Sequence, residues 1–301
     1  MEHKTIATNG CNLHVVCDGP PSAPLVILLH GFPEAWFGWR HQIPALAVAG
    51  YRVWAPDQRG YNLSDKPRDI KAYQIDTLAA DIVGLIDAAQ VEKAYIVGHD
   101  WGAAVAWWLA LHYPERIERL AILNVPHPTV MNDFLHHNWQ QQLKSWYMYF
   151  FQIPGLPELG ASVGNWALLG RSLQLSSTTN IFTEETLQQY RQAWSQPHAY
   201  TSMLNWYRAA LRYPPKLPDN PRISVPTLMI WGTEDQFLER EMVQPSIDLC
   251  DDGVLELLEG VSHWVNHEAP EQVNQLLQDF LKTAPINTQS GLGSISSLNS
   301  Q

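Results

Sequence analysis

The segment Val97-Gly98-His99-Asp100-Trp101-Gly102 carries the residue types with the most chemistry to offer. An apolar strand pattern, Lys93 to Val97, runs into it, and a helical pattern rich in Ala, Trp and Leu follows. Glycines at 98 and 102 flank the central residue, as a tight strand-to-helix turn requires, because side chains there would collide with neighbouring backbone. The usual form of this turn, G-x-S-x-G, presents a nucleophilic serine. Here the central residue is Asp100, and that changes the chemistry. A carboxylate can attack a saturated carbon and displace an oxygen or a halogen. The ester carbonyl of the product then belongs to the protein, so water can cleave it. Serine attacking the same carbon would leave an ether, a dead end.

Such a nucleophile needs a base and an orienting acid, which follow it in the chain in the order acid, then histidine. Trp231-Gly232-Thr233-Glu234-Asp235 ends an apolar run, Thr227 to Trp231, and offers Asp235 with Glu234 as its close rival. The other place for the acid, after the preceding strand, holds Asn124, which cannot act as one. Gly260-Val261-Ser262-His263-Trp264 lies beyond the last strand pattern and supplies His263 as the base. His267 competes with it and is read as beginning or supporting the next helix. An oxyanion formed during ester cleavage needs N–H donors. His30-Gly31-Phe32-Pro33 follows the Leu25 to Leu29 run, so the backbone amides of Phe32 and Trp101 are the expected pair.

The elements that must hold these residues are short apolar runs bounded by Pro, Gly or Asp. Leu25 to Leu29, Val53 to Ala55, Ala94 to Val97 and Thr227 to Trp231 read as strands, and Leu120 to Asn124 and Val254 to Leu258 extend the series. Continuous apolar strands alternating with helical stretches predict an α/β fold with a mostly parallel, buried central sheet flanked by helices. Between Pro128 and Pro214 the pattern turns helical and dense in Trp, Tyr, Phe, Leu and Gln. About 85 residues exceeds usual connection lengths, so an inserted helical cap is expected there. The predicted division is a core over 1–127, a cap over 128–214, a second core part over 215–284 and a disordered tail over 285–301. That tail is rich in Ser, Gly, Asn and Gln and lacks charge and aromatics.

Composition narrows the functional classes. A chain of 301 residues with 46% apolar content can bury a substantial core, and no apolar run is long enough to span a bilayer. A net charge of -11 disfavours nucleic acid and anionic membrane surfaces. Cys11, Cys17 and Cys250 are odd in number and lack metal-type spacing. With no N-terminal secretory pattern, they are read as reduced thiols of a cytoplasmic protein.

From Ile6 to Phe280 the sequence resembles the epoxide hydrolases of the α/β-hydrolase superfamily. The resemblance rests on His30-Gly31-Phe32-Pro33-Glu34, Asp57-Gln58-Arg59-Gly60-Tyr61, Gly98-His99-Asp100-Trp101-Gly102 and Gly260-Val261-Ser262-His263-Trp264. It implies an α/β-hydrolase fold and favours Asp235 over Glu234. Haloalkane dehalogenases share the elbow, including its tryptophan, so the cap must discriminate. Family members place two tyrosine hydroxyls opposite the nucleophile. One lies in a Tyr-X-X-aromatic-Phe-Gln-X-Pro context, matched from Tyr147 to Pro154, and the other in Asn-Trp-Tyr-Arg, matched from Asn205 to Arg208. The resemblance therefore assigns Tyr147 and Tyr207, with Tyr149 as the local rival to Tyr147. Two phenols with pKa near 10 can share a proton with an opening epoxide oxygen, whereas a halide needs none.

The expectation is thus a hydrolase acting on a small apolar epoxide and water, without metal or organic cofactor, as a monomer or homodimer. Trp36, Trp101, Trp146, Phe151 and Phe237 are the expected pocket walls. Two alternatives remain: a dehalogenase using the same Asp100 ester, and a non-catalytic binding protein that keeps the fold. Trp101 stands where halo-acid enzymes tend to carry an arginine, and a degraded site would have lost at least one of these groups.

Overall fold

The computed structural model describes residues 1–282, so the predicted 285–301 tail lies outside the described residues. Eight strands form one sheet: β1 (Glu2–Thr8), β2 (Cys11–Asp18), β3 (Leu25–Leu29), β4 (Arg52–Pro56), β5 (Ala94–His99), β6 (Ile117–Leu123), β7 (Thr227–Gly232) and β8 (Gly253–Leu258). Their order is β1-β2-β4-β3-β5-β6-β7-β8, with β2 antiparallel to both neighbours and β4 through β8 parallel. All five residues of β3 and all six of β7 are buried, which explains why they show no polar alternation. The mostly parallel α/β sheet matches the sequence expectation.

The β1–β2 hairpin is an addition to it. Asn9 and Gly10 both have positive φ and join Thr8 to Cys11 in a two-residue turn.

Helices cover both faces. α1 (Gln42–Val48), α2 (Ile75–Ala88) and α3 (Trp101–His112) precede β6, while α10 (Val243–Ile247), α11 (Val265–Glu268) and α12 (Pro270–Lys282) follow β7. Between β6 and β7 the chain forms α4 (Pro128–His137), α5 (Trp139–Lys144), α6 (Trp146–Phe150), α7 (Leu156–Ser176), α8 (Glu184–Trp194) and α9 (Ala199–Arg212). These helices dock on the sheet end through buried indoles. Trp194 Nε1 donates to Pro33 O at 2.6 Å, and Trp206 Nε1 donates to Arg59 O at 2.9 Å. Among the described residues no helix is long and apolar enough to cross a membrane.

Parallel strands all deliver their carboxyl ends to one rim of the sheet, which is where ligands bind in open α/β folds. The loops after β3, β5, β6, β7 and β8 carry Phe32, Asp100, Asn124, Asp235 and His263 respectively. The β5–α3 turn is the tightest of them. A Cβ on Gly98 would lie 2.6 Å from Ala103 Cα, and one on Gly102 would lie 2.0 Å from Leu29 O. Backbone moves alone could relieve those contacts, so both positions require glycine.

Candidate active site

Asp100 caps the N-terminus of α3 with φ 51° and ψ -126°, outside the regions a side-chain-bearing residue favours. Strain of this kind presents its carboxylate at the rim. Oδ1 accepts the Phe32 N–H at 2.6 Å, so the amide proposed as an oxyanion donor already holds one carboxylate oxygen. Trp101 is the first residue of α3, where an amide has no intrahelical acceptor. Oδ2 lies 3.6 Å from His263 Nε2.

Behind the histidine, His263 Nδ1 and Asp235 Oδ2 are 2.7 Å apart and both side chains are buried. Asp235 Oδ1 accepts the N–H groups of Phe237 and Leu238 at 2.8 and 3.0 Å. Glu234 is exposed, whereas Asp235 is buried within this network. Burial alone would raise the Asp235 pKa; the His263 charge and the hydrogen bonds from His263, Asn124 and Phe237 hold it below the ordinary value. Burial would likewise lower that of His263, but the Asp235 and Asp100 carboxylates outweigh it and raise the imidazole to about 10. The two carboxylates thus favour the charged form of His263.

Tyr147 and Tyr207 face the same space from α6 and α9. Their rings are 5.9 Å apart, and Tyr207 stacks edge-on against Trp101 at 5.0 Å. Burial and the Asp100 charge push both phenols above their usual range, so both remain protonated donors. The flanking motif residues fix the two helices to each other. Arg208 Nε donates to Phe151 O at 2.9 Å and its guanidinium pairs with Glu158 at 2.8 Å, while Gln152 Nε2 donates to Tyr207 O at 3.1 Å. Tyr149, the rival, reaches the same cavity but is 59% exposed at its rim.

Comparison with known proteins bears on this constellation. A family model described as the alpha/beta hydrolase fold matches residues 24–270. The AB hydrolase superfamily protein YfhM of Bacillus subtilis (strain 168) is 48% identical over 278 residues, covering 92% of this chain and 96% of that protein. Epoxide hydrolase 4 of Mus musculus is 38% identical, covering 92% and 78%. The crystal structure of epoxide hydrolase A from Mycobacterium thermoresistibile superposes with a TM-score of 0.81 at 34% identity, covering 93% and 98%. The chain belongs to the epoxide hydrolases of the α/β-hydrolase superfamily.

In this epoxide hydrolase family member a cavity of about 480 Å³ brings together Asp100, Trp101, Tyr147, Tyr207, Phe237 and His263. Three of the five expected walls, Trp36, Trp146 and Phe151, do not line it. Trp146 is 63% exposed and leans on Phe150, because one residue of helix rotation turns it away from the face that carries Tyr147. Trp36 packs edge-on against His3 and Phe37, and its backbone N–H donates to Asp57 Oδ1 at 2.9 Å, outside the cavity. Phe151 sits behind the wall, wedged among Phe32, Tyr147 and Tyr207. Trp108, read from sequence as packing, is buried and also lines the cavity.

Two features escaped the sequence reading. Asn124 is no acid, yet its Nδ2 donates to Asp235 Oδ2 at 2.8 Å and its Oδ1 accepts the Gly232 N–H at 3.0 Å. Its φ of 50° tightens the turn that places it there. Glu34 is fully buried and accepts from Tyr190 Oη and His267 Nε2, each at 2.6 Å. His99 Nδ1 is 3.4 Å from Glu34, and His99 Nε2 donates to His263 O at 2.8 Å. His267 thus belongs to a buried polar cluster under the site. Burial would raise Glu34, but His267 and His99 hold it well below the carboxylate range. A run of charged and polar residues far apart in sequence gave no local signal of this cluster.

Proposed function

We propose that this chain converts an apolar epoxide and water to a vicinal diol through a covalent ester on Asp100, beneath a cap formed by the helices from Pro128 to Pro214. The observation that carries the proposal is the placing of two protonated phenols across one cavity from a carboxylate that has a histidine–aspartate pair beside it.

In the first step Asp100 Oδ2 attacks an epoxide carbon from the rear. The carbon–oxygen bond of the ring breaks, and its electron pair goes to the oxygen, which takes a proton from Tyr147 or Tyr207. The phenol regains that proton from the His263 imidazolium, whose hold on it weakens once the Asp100 charge becomes an ester. Neutral His263, oriented by Asp235, then takes a proton from water as the oxygen adds to the ester carbonyl carbon. The oxyanion develops on Oδ1, where the Phe32 amide already donates and the Trp101 amide is adjacent. Collapse breaks the bond from Cγ to Oδ2, and the diol leaves with a water-derived proton. Carboxylate and imidazolium are restored, so protons balance over the cycle. No cofactor enters the scheme. A halide would leave the two phenols without a role, which weighs against a dehalogenase.

Single turnover of styrene oxide in water enriched in heavy oxygen tests the ester. The label is expected in the Asp100 side chain and the diol is expected without it. Label in the diol and none in Asp100 would overturn the covalent mechanism. His263→Gln is expected to accumulate protein heavier by the mass of the substrate.

A further inference from the structure

The turn that carries His263 has supports besides its bond from His99. Ser262 is buried, and its N–H and Oγ both donate to Glu268, at 2.8 and 2.9 Å. Trp264 Nε1 donates to Ser176 Oγ at 2.9 Å, so the indole next to the base in sequence is tied to the end of α7. Glu268 is the last residue of α11, yet it also reaches the connection between α7 and α8. Ser177 Oγ, Thr178 N and Thr178 Oγ1 donate to it at 2.5, 2.7 and 2.7 Å. One carboxylate thus accepts two hydrogen bonds from the histidine turn and three from a segment that is remote in sequence. Each oxygen serves one backbone N–H that cannot reverse its polarity, Thr178 N–H on Oε1 and Ser262 N–H on Oε2. Burial would raise the Glu268 pKa, but the bonds from Ser177, Ser262 and Thr178 hold it below the ordinary value.

We infer that Glu268 is a positioning residue for the base: acting through Ser262 it fixes His263, and its bonds to Ser177 and Thr178 make the α7–α8 connection part of the same support. The inference rests on the ester reading and deepens its second step, the one in which His263 must take a proton from water. Ester formation depends instead on Asp100 and the phenols, carried by the β5–α3 turn, α6 and α9. A small displacement of a reacting group can cost about 10²-fold in rate even when the altered residue is remote from it. Loss of Glu268 therefore slows ester hydrolysis selectively.

The test measures ester formation and ester decay separately, by rapid quench of the full chain with styrene oxide and mass spectrometry. In Glu268→Gln one end of the side chain becomes a donor, and either way round it opposes the N–H of Thr178 or of Ser262. Decay is expected to slow by about 10²-fold, with formation close to wild type. Ser177→Ala/Thr178→Val keeps the carboxylate and its bonds to Ser262, and is expected to slow decay by about tenfold. A merely structural role would lower thermal stability without changing the ratio of the two rates. An unchanged ratio in Glu268→Gln overturns the positioning role, and wild-type decay in Ser177→Ala/Thr178→Val overturns the link to the α7–α8 connection. Ester formation reports that a variant is folded; should Glu268→Gln fail that check, Ser262→Ala, which keeps the charge, takes its place. If neither wild type nor His263→Gln accumulates ester, the covalent reading falls, and NMR titration of the His263 imidazole decides the positioning role. A midpoint lowered in Ser177→Ala/Thr178→Val, where no charge has changed, supports it, because a displaced imidazole loses contact with Asp235. An unmoved midpoint overturns it.

Discussion

Replacing Asp235 by asparagine removes a charge without changing shape, and the structure dictates how the new amide must sit. Oδ1 faces two backbone donors, Phe237 N–H and Leu238 N–H. Oδ2 faces Asn124 Nδ2 and His263 Nδ1. Asn124 cannot turn over to help, because its own oxygen accepts the Gly232 N–H. Placing the new NH2 at the Oδ1 position opposes two donors. Placing it at the Oδ2 position opposes one, since the imidazole can respond by changing tautomer. The second arrangement wins, and it leaves His263 Nδ1 as an acceptor and Nε2 carrying the hydrogen. Nε2 is the atom facing Asp100, so the imidazole cannot accept a proton from water there. A wrong tautomer of this kind costs about 10⁴ in rate, or about 5 kcal/mol of barrier. The loss belongs to ester hydrolysis. Alkylation depends on Asp100 and the phenols and is expected to fall far less. Rapid mixing of Asp235→Asn with styrene oxide, quenched and weighed by mass spectrometry, should therefore show ester forming quickly and decaying about 10⁴-fold slower than in wild type. Hydrolysis within tenfold of wild type, or loss of ester formation itself, would refute the tautomer argument.

Other expectations follow from the same geometry. Tyr147→Phe and Tyr207→Phe should each slow ester formation by about 10²-fold and the double variant by about 10³-fold or more, read from pre-steady-state quench; an undiminished double variant would exclude the phenols as proton donors. Thermal stability should depend on pH through His263. Its folded pKa is raised from 6.5 to about 10, so the stability it lends is full below pH 6.5 and is lost as pH rises toward 10. The Tm is expected to decline across that window, and less steeply in His263→Gln. Asn124→Ala leaves the buried Gly232 N–H without its acceptor and removes one donor from Asp235, and should cost about 2 kcal/mol in urea unfolding.

Much of this was legible in the sequence, for local reasons. Strands buried on both faces must be apolar throughout, so β3, β5 and β7 announced themselves. The elbow did so too, because its glycines answer to backbone contacts within a few residues of each other. Asp100, Asp235 and His263 each follow a recognisable strand, and strand ends in a parallel sheet converge. The Asn9–Gly10 turn was equally local and would have revealed the β1–β2 hairpin, although its strands mix polar and apolar residues. The two tyrosines were singled out by the family resemblance of their motifs, whose Gln152 and Arg208 bind one helix to the other.

Tertiary structure alone decided the remainder. Which face of a five-residue helix looks inward cannot be read from a run of aromatics, so Trp146 and Tyr147 were indistinguishable as wall residues until α6 was docked. Asn124 and Glu34 act through partners 111 and 233 residues away, and their side-chain types carry no trace of that pairing. Sequence specifies what each short segment can become, because backbone sterics and burial act locally. Hydrogen bonds between segments depend on how the sheet and the inserted helices bring distant atoms within three ångströms, and only the assembled fold sets those distances.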